Sequence, residues 1–173
     1  MRIFIIGFKS SGKTTLGKQL AKRLKMTFVD LDREIEIMEK TSIPELYEKI
    51  GDDAFRKIEW KALKVIVKDD NLIVSTGGGA PCHCDNMTLM EKYGDVLYIK
   101  LDNDTLVSRL KAATSTRPIV KNKTDIELRE YVRDLKDKCE HHYLRARYIV
   151  EGKNLTVEKI LKVLDISGSD QTE

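Results

Sequence analysis

The chain has few of the features that mark secreted or membrane proteins. It contains three cysteines among 173 residues, an odd number that is too small for a disulfide framework. No apolar run approaches the ~18 residues that a membrane-spanning helix needs. Strand-forming residues begin at position 2, which leaves no room for a signal peptide. We therefore expect a cytoplasmic protein with reduced thiols and no membrane partner.

Charge of one sign is also scarce. The chain has 31 basic and 28 acidic side chains, for a net charge of +3, without a long basic block. This small excess suits anionic small molecules, so we expect no nucleic-acid partner. The length and the 41% hydrophobic content allow one sizeable core. We expect a monomer with a single domain over residues 1–166, followed by a disordered tail over residues 167–173.

Two of the cysteines stand close together in Cys82-His83-Cys84. Zinc would need a fourth ligand and wider spacing than adjacent residues give. We expect instead a loop or a helix start beside Pro81, and no metal at these side chains.

The strongest motif is GFKSSGKT at residues 7–14, which fits the phosphate-binding pattern G-x-x-x-x-G-K-[ST]. A buried-strand pattern precedes it at residues 2–6, and a helical pattern follows at residues 14–25. Both flanks favour a nucleotide loop (P-loop) over an ordinary glycine-rich turn. The motif predicts that Lys13 reaches the β- and γ-phosphates and that the Thr14 hydroxyl binds Mg²⁺.

Further strands are predicted at residues 27–29, 72–74, 96–99 and 148–150, with helical patterns between them. This alternation indicates an α/β fold, with a central parallel sheet of about five strands between two layers of helices. Ligands of such sheets bind at the carboxyl ends of the strands. Asp30 and Asp32, the glycines 77–79 and the P-loop all follow predicted strands, so we expect them at one edge.

Asp30 and Asp32 point the same way if the chain stays extended at the end of its strand. One carboxylate can then hold Mg²⁺ through water while the other orients an acceptor hydroxyl or takes its proton. The alternative is that one of the two side chains only caps the next helix.

Two further features are compatible with an anionic substrate. Arg56 lies off the apolar stripe formed by Phe55, Ile58, Ala62 and Val65, and Glu59 can hold its guanidinium in place. It can bind a carboxylate through two parallel N–H bonds, or form an ordinary solvated ion pair. Gly77, Gly78 and Gly79 are costly in backbone entropy unless a ligand approaches closely, although a flexible turn is the alternative.

Residues 111–123 are polar and contain Arg117-Pro118. Proline ends a helix there, and an exposed loop with one arginine can close over the phosphates. A plain surface loop explains the same composition.

Taken together, these motifs resemble shikimate kinase, a P-loop kinase family with a nucleoside-monophosphate-kinase-like fold and a mobile lid. The resemblance runs from Ile3 to about Leu164. It rests on the order of the P-loop, Asp30-x-Asp32, the sequence FRKIE at residues 55–59, the triple glycine and Arg117-Pro118.

The resemblance implies transfer of a phosphoryl group from ATP to shikimate in aromatic amino acid biosynthesis, with Mg²⁺ as cofactor. Asp32 is then the base, Asp30 holds the metal shell, Arg56 binds the shikimate carboxylate and the three glycines line its ring. Arg117, in a lid at about residues 112–124, descends onto ATP. The implied ATP cradle consists of Ser10, Ser11, Gly12, Lys13, Thr14 and Thr15.

The chain departs from the family pattern at both ends of the site. Lys9 and Ser10 replace the Met and second Gly of the usual P-loop, and Ser10 strains the backbone if that position has a positive φ. Cys139 replaces an arginine that gives shikimate a second carboxylate contact, although Cys139 also fits a buried helix face with Leu128, Val132, Leu135 and His142. The cations considered as substitutes are Lys136, Lys138, Arg145 and Arg147. Another small hydroxylated acid as acceptor, or nucleotide binding without catalysis, are the alternative functions.

Overall fold

Five parallel strands form one sheet in the computed structural model, which describes residues 1–113 and 123–166. The strands are β1 (Arg2–Ile6), β2 (Thr27–Asp30), β3 (Leu72–Ser75), β4 (Asp95–Lys100) and β5 (Tyr148–Glu151). Their spatial order is β2-β3-β1-β4-β5, so β1 is central. Ile3 of β1 pairs with Ile73 on one side and with Asp95 on the other. All five predicted strands are confirmed.

Seven α-helices in the described residues connect and cover the strands. They are α1 (Lys13–Leu24), α2 (Leu31–Glu39), α3 (Ile43–Ile66), α4 (Asn86–Tyr93), α5 (Asn103–Ala112), α6 (Asp125–Tyr143) and α7 (Val157–Val163), with a short 3₁₀ helix at Ala80–Cys82. The predicted lid falls mostly on residues 114–122 and the predicted tail on residues 167–173, which lie outside the described residues. Within the described ranges, no helix has both the length and the apolar character to cross a membrane.

The central strand is buried on both faces, as a parallel sheet between two helical layers requires. Phe4 and Ile6 belong to a core cluster that also takes side chains from α2, α3, α4 and α6. Ile3 and Ile5 point the other way and pack with α1 and α7. A third cluster joins Phe8, directly after β1, to α5 and α6. The expected three-layer α/β/α fold is confirmed, and the P-loop is anchored at the end of the central strand.

Helix α3 begins at a capping box, in which Ser42 and Glu45 each accept a hydrogen bond from the other's backbone N–H. Pro44 occupies its first turn, where the missing N–H of proline costs no helical hydrogen bond. Gly51, with φ 74°, kinks α3. The expected burial of Val65 is wrong, because this side chain is 53% exposed.

Helix geometry explains the error at Val65. Ten residues of 100° each place Val65 about 80° from Phe55, whereas eleven place Ile66 only about 20° away. Ile66 is buried accordingly, and Glu59 occupies the same inward-facing stripe.

Gly94 generates a stability prediction, because a Cβ there would lie 2.5 Å from the Arg2 carbonyl oxygen. Gly94 joins α4 to β4 beside the first residue of β1. We expect Gly94→Ala to lower the free energy of unfolding by about 1–3 kcal/mol, because backbone must shift to relieve the clash. Urea denaturation measures this loss.

Lys92→Ala, on the exposed end of α4, is the control and should change stability by less than about 0.5 kcal/mol. Equal stability of Gly94→Ala and the unmodified chain would contradict the close approach.

Candidate active site

The P-loop leaves the end of β1 and wraps around the side chain of Lys13, the first residue of α1. Gly7 and Gly12 have φ of 143° and 99°, and a Cβ on Gly7 would lie 2.6 Å from the Ile99 carbonyl oxygen. The buried Lys13 ammonium donates hydrogen bonds to the carbonyl oxygens of Gly7 (2.9 Å) and Phe8 (2.8 Å). The loop therefore surrounds a fixed positive charge.

Ser10 has the positive φ that the sequence analysis considered, at 63°. A non-glycine residue in this left-handed region costs about 1 kcal/mol. The loop keeps its turn without the second glycine of the family pattern.

A cavity of about 390 Å³, the P-loop cavity, brings several of the expected site residues together. Its walls come from the P-loop, the ends of β2 and β3, and α5. The lining residues are Lys9, Ser10, Gly12, Lys13, Thr14, Thr15, Asp30, Asp32, Ser75, Thr76, Gly77, Gly78, Arg109 and Ala113. Ser11 and Gly79 lie outside this lining, and Arg117 lies outside the described residues.

Arg109 is a cation of this cavity that sequence reasoning missed. Its Nη1 donates to the Ser11 carbonyl oxygen at 2.8 Å, and its Nη2 donates to the Lys153 carbonyl oxygen at 3.0 Å. Arg109 lies in an ordinary helical pattern, 98 residues from Ser11 along the chain. No local motif in the sequence marks it.

Asp30 and Asp32 both line the P-loop cavity, but the expected extended chain between them is wrong. Helix α2 already begins at Leu31, because the Asp30 carboxylate caps it by accepting from the Arg33 backbone N–H at 3.4 Å. Asp30 also accepts a hydrogen bond from the Thr14 hydroxyl at 2.9 Å. Asp30 therefore both caps α2 and lines the P-loop cavity, so the two roles do not exclude each other.

Asp32 lies in the first turn of α2 and faces the glycine segment. A Cβ on Gly77 would lie 2.9 Å from Asp32 Oδ1. Burial raises the pKa of Asp32, the neighbouring Asp30 carboxylate raises it further, and Lys13 and Arg56 oppose the shift. The side chain therefore holds a proton more readily than an exposed aspartate does.

A second cavity of about 610 Å³, the Arg56 cavity, adjoins the first. The two share Lys9 and Gly78 in their linings. The Arg56 cavity is lined by Phe8, Lys9, Ile43, Pro44, Tyr47, Asp52, Arg56, Gly78, Gly79, His83, Tyr131, Leu135, Cys139 and Tyr143.

Arg56 is held by two carboxylates at the wall of its cavity. Its Nε donates to Asp52 Oδ1 and its Nη1 to Glu59 Oε2, each at 3.1 Å. Glu59 is 1% exposed, and burial raises its pKa to about 7 even though Arg56 opposes the shift. The expected support of Arg56 by Glu59 is present, and Asp52 adds a second contact.

Each glycine of the triple segment lies against another part of the site. A Cβ on Gly78 would lie 3.0 Å from the Lys9 backbone nitrogen, and one on Gly79 would lie 2.8 Å from Arg56 Nη2. The Tyr143 hydroxyl donates to the Gly78 carbonyl oxygen at 2.5 Å. Close approach therefore accounts for the small residues without a positive φ.

Cys139 is buried at 5% exposure, as its place on the helix stripe predicted, and it also lines the Arg56 cavity. The neighbouring Cys82 thiol is the main cause that lowers the pKa of Cys139. Burial opposes this shift, whereas the neighbouring Tyr143 hydroxyl and the charges of Arg56 and Lys9 lower the pKa further.

The cations considered as substitutes at Cys139 lie outside the cavity lining. Lys136 donates to the Leu101 carbonyl oxygen, Arg145 pairs with Glu91, Arg147 pairs with Asp95, and Lys138 is exposed. Lys9 lines the cavity instead, and its Nζ donates to the Tyr131 hydroxyl at 2.9 Å. Its departure from the family P-loop pattern was the only sequence signal for it.

Comparisons with known proteins agree with this geometry. The family model described as shikimate kinase matches residues 9–165. The shikimate kinase of Bacteroides fragilis is 39% identical over 174 aligned positions, covering 96% of this chain and 97% of that protein. The solved structure of shikimate kinase from Bacteroides thetaiotaomicron has a TM-score of 0.91 at 35% identity, covering 95% of this chain and 98% of that one. The structure of the Acinetobacter baumannii enzyme in complex with shikimate has a TM-score of 0.84 at 28% identity, covering 95% and 91%. The chain belongs to the shikimate kinase family.

Proposed function

We propose that this protein transfers the γ-phosphoryl group of ATP to the 3-hydroxyl of shikimate, giving ADP and shikimate 3-phosphate in the cytoplasm. The observation that carries the proposal is the junction of the P-loop cavity with the Arg56 cavity at Lys9 and Gly78. The first has the features of a phosphate site and the second offers a guanidinium to an acid. Asp32 lines the first cavity, and a Cβ on Gly77 would lie 2.9 Å from Asp32 Oδ1 and 3.1 Å from Oε1 of Glu59, the carboxylate that holds Arg56.

On the nucleotide side, the backbone of residues 10–15 and the start of α1 provide N–H donors for the phosphates. Lys13 supplies the fixed cation. The oxygen donors at the start of α1 fit Mg²⁺, because Thr14 Oγ1 lies 2.9 Å from Asp30 Oδ2 and 3.4 Å from Ser75 Oγ. We propose that Thr14 binds the ion directly and Asp30 through water. When bound, Mg²⁺ neutralises charge on the phosphates during transfer.

We also propose that Arg117 descends with the lid onto ATP. Residues 1–166 would form a single kinase domain, and the protein would act as a monomer.

On the acceptor side, Asp32 is the proposed base. Its raised pKa brings the carboxylate closer to the neutral range, where general-base catalysis is more effective. Arg56 would bind the shikimate carboxylate, and the segment Gly77, Gly78 and Gly79 would line the ring. The carboxylates of Asp52 and Glu59 hold the Arg56 guanidinium in position before the substrate binds.

Coupled measurement of ADP release tests the function. We expect release that depends on shikimate, and we expect Asp32→Asn to lower kcat by about 10²- to 10⁴-fold, because the proton acceptor is lost. Glu34→Gln removes one negative charge from the same helix turn, lines neither cavity and should retain activity.

A panel of small hydroxylated acids at fixed ATP concentration belongs in the same assay. An acceptor with a higher kcat/KM than shikimate would replace the proposed substrate. ATP binding without transfer to any acceptor would indicate a nucleotide-binding protein without catalysis.

Gly79→Ala tests the placement of Arg56. The new methyl group would push the flexible end of the guanidinium away from its position. We expect the KM for shikimate to rise about ten- to a hundredfold, the equivalent of one lost charge-assisted hydrogen bond. Stability and the KM for ATP should change little, and a rise in both KM values would mean that the backbone had moved instead.

Glu59→Gln tests the electrostatics of the buried pair through stability. The native pKa of about 7 lies above the ordinary 4.5, so the contribution of Glu59 to stability is complete below pH 4.5 and is lost as the pH rises to 7. The free energy of unfolding should therefore fall by on the order of 3 kcal/mol over this range relative to Glu59→Gln. Urea denaturation at pH 4.5–8 measures the difference.

Asp53→Asn, at an exposed position of the same helix, provides the comparison for removal of one acidic side chain. A constant difference between the unmodified chain and Glu59→Gln would contradict the raised pKa of Glu59.

A further inference from the structure

We propose that Lys9 and Arg56 together form a two-cation site for the carboxylate of the acceptor. This inference rests on the proposed function, because it assigns the second positive charge that binds the acid. It places a specificity-determining residue of the acceptor site in the P-loop.

The position of Lys9 is the first argument. Its backbone belongs to the P-loop, but its side chain lines the Arg56 cavity and reaches α6, where Nζ donates to the Tyr131 hydroxyl. Tyr131 lines the same cavity, and its ring centroid lies 5.5 Å from Nζ. This contact joins the P-loop to α6 and holds the Lys9 ammonium at the lining of the Arg56 cavity.

The charge of Lys9 remains available to a ligand. Tyr131 is a neutral partner, and across residues 1–113 and 123–166 no carboxylate lies within ion-pair distance of Lys9. An ammonium group has three donors, so Lys9 can keep the tyrosine and bind an anion.

Arg56 differs in this respect, because its charge is already shared. Asp52 and Glu59 both accept from its guanidinium. An acid entering the cavity therefore meets one guanidinium beside two acidic side chains. A second cation offsets the added negative charge, and Lys9 is the other Lys or Arg side chain in the described lining.

Cys139 indicates where the negative charge is best accommodated. The thiol lines the cavity; the neighbouring Cys82 is the main cause of its lowered pKa, and the charges of Arg56 and Lys9 act in the same direction, against burial. Two cations from different elements thus favour negative charge at the same wall. A carboxylate bound near Cys139 would be within the influence of both.

Lys9 also lines the P-loop cavity, so a role on the transferred phosphoryl group is the competing assignment. The P-loop cavity already contains Lys13 and Arg109 as positive side chains. The Arg56 cavity has one guanidinium beside two acidic side chains, so a second cation lowers its electrostatic energy more. This difference favours the assignment of Lys9 to the acceptor carboxylate. The two roles predict different kinetics.

The main experiment is calorimetric titration of shikimate into the full chain and into Lys9→Met. We expect the Kd for shikimate to rise about ten- to a hundredfold, because one charge-assisted contact is lost. The Kd for ATP should change less than threefold. Lys9→Arg should retain most of the affinity for shikimate.

Lys138→Met is the matched control. Lys138 lies on α6, as Tyr131 does, but its side chain is exposed and lines neither cavity. Its removal changes the net charge by the same amount and should leave the Kd for shikimate unchanged. Equal losses in both lysine variants would overturn the site in favour of a general electrostatic effect.

The methyl ester of shikimate separates the carboxylate from the phosphoryl role. It keeps the ring hydroxyls but lacks the negative charge, so Lys9→Met should bind it as well as the unmodified chain does. A lower kcat for shikimate in Lys9→Met with an unchanged Kd would assign Lys9 to the phosphoryl group and overturn the inference.

Cys139→Arg provides a rescue from the opposite wall. In the Lys9→Met background it should recover at least tenfold in affinity, because it returns a second cation to the cavity. In the unmodified background the gain should be less than threefold, because two cations are already present. Equal gains in both backgrounds would show that Lys9 does not supply the second charge.

The outcomes also separate this inference from the proposed function. If the unmodified chain neither binds nor phosphorylates shikimate, the proposed function fails. If it does both and Lys9→Met has the same Kd, the function stands and only the two-cation site fails.

Discussion

The close packing of Gly78 against the backbone of Lys9 is the contact on which the site depends. A Cβ at Gly78 would lie 3.0 Å from the Lys9 nitrogen, and Tyr143 holds the Gly78 carbonyl from α6. The strands β1 and β3 are hydrogen-bonded neighbours, so the loops that follow them leave the same edge of the sheet. This packing lets the two cavities share a wall at Lys9 and Gly78, so the proposed phosphate and acid sites adjoin.

Several charged side chains of the site have hydrogen-bond or ion-pair partners. Asp30 accepts from Thr14, and Arg56 is held between Asp52 and Glu59. Burial nevertheless raises the pKa values of Asp32 and Glu59, because desolvation outweighs the nearby cations. A buried ion pair of this kind is a weak source of stability, and it is better explained as the means of fixing the guanidinium.

The sequence predicted the parts of the site that follow local rules. The P-loop, the carboxyl-edge position of Asp30 and Asp32, and the buried face of Cys139 all come from motifs or periodicity. The chain does not stay extended between the two aspartates, because Asp30 caps α2 and the helix begins at the next residue. The sequence is compatible with both a strand end and a helix cap at this position. Lys9 and Arg109 could not be placed from the sequence, since their partners lie 122 and 98 residues away. Such contacts depend on how α5 and α6 pack over the loop.

A carboxylate site that includes Lys9 would connect acceptor binding to the nucleotide loop. The backbone of Lys9 continues directly into the residues proposed to bind the phosphates, and Ser10 already holds a strained φ of 63°. A nucleotide that orders this loop would also reduce the freedom of the Lys9 side chain, so less entropy would be lost when the acid binds. A cation on α6 would lack this direct connection through the backbone. Use of Lys9 as the second cation would therefore place recognition of the acid on the same segment that is proposed to bind the phosphoryl donor.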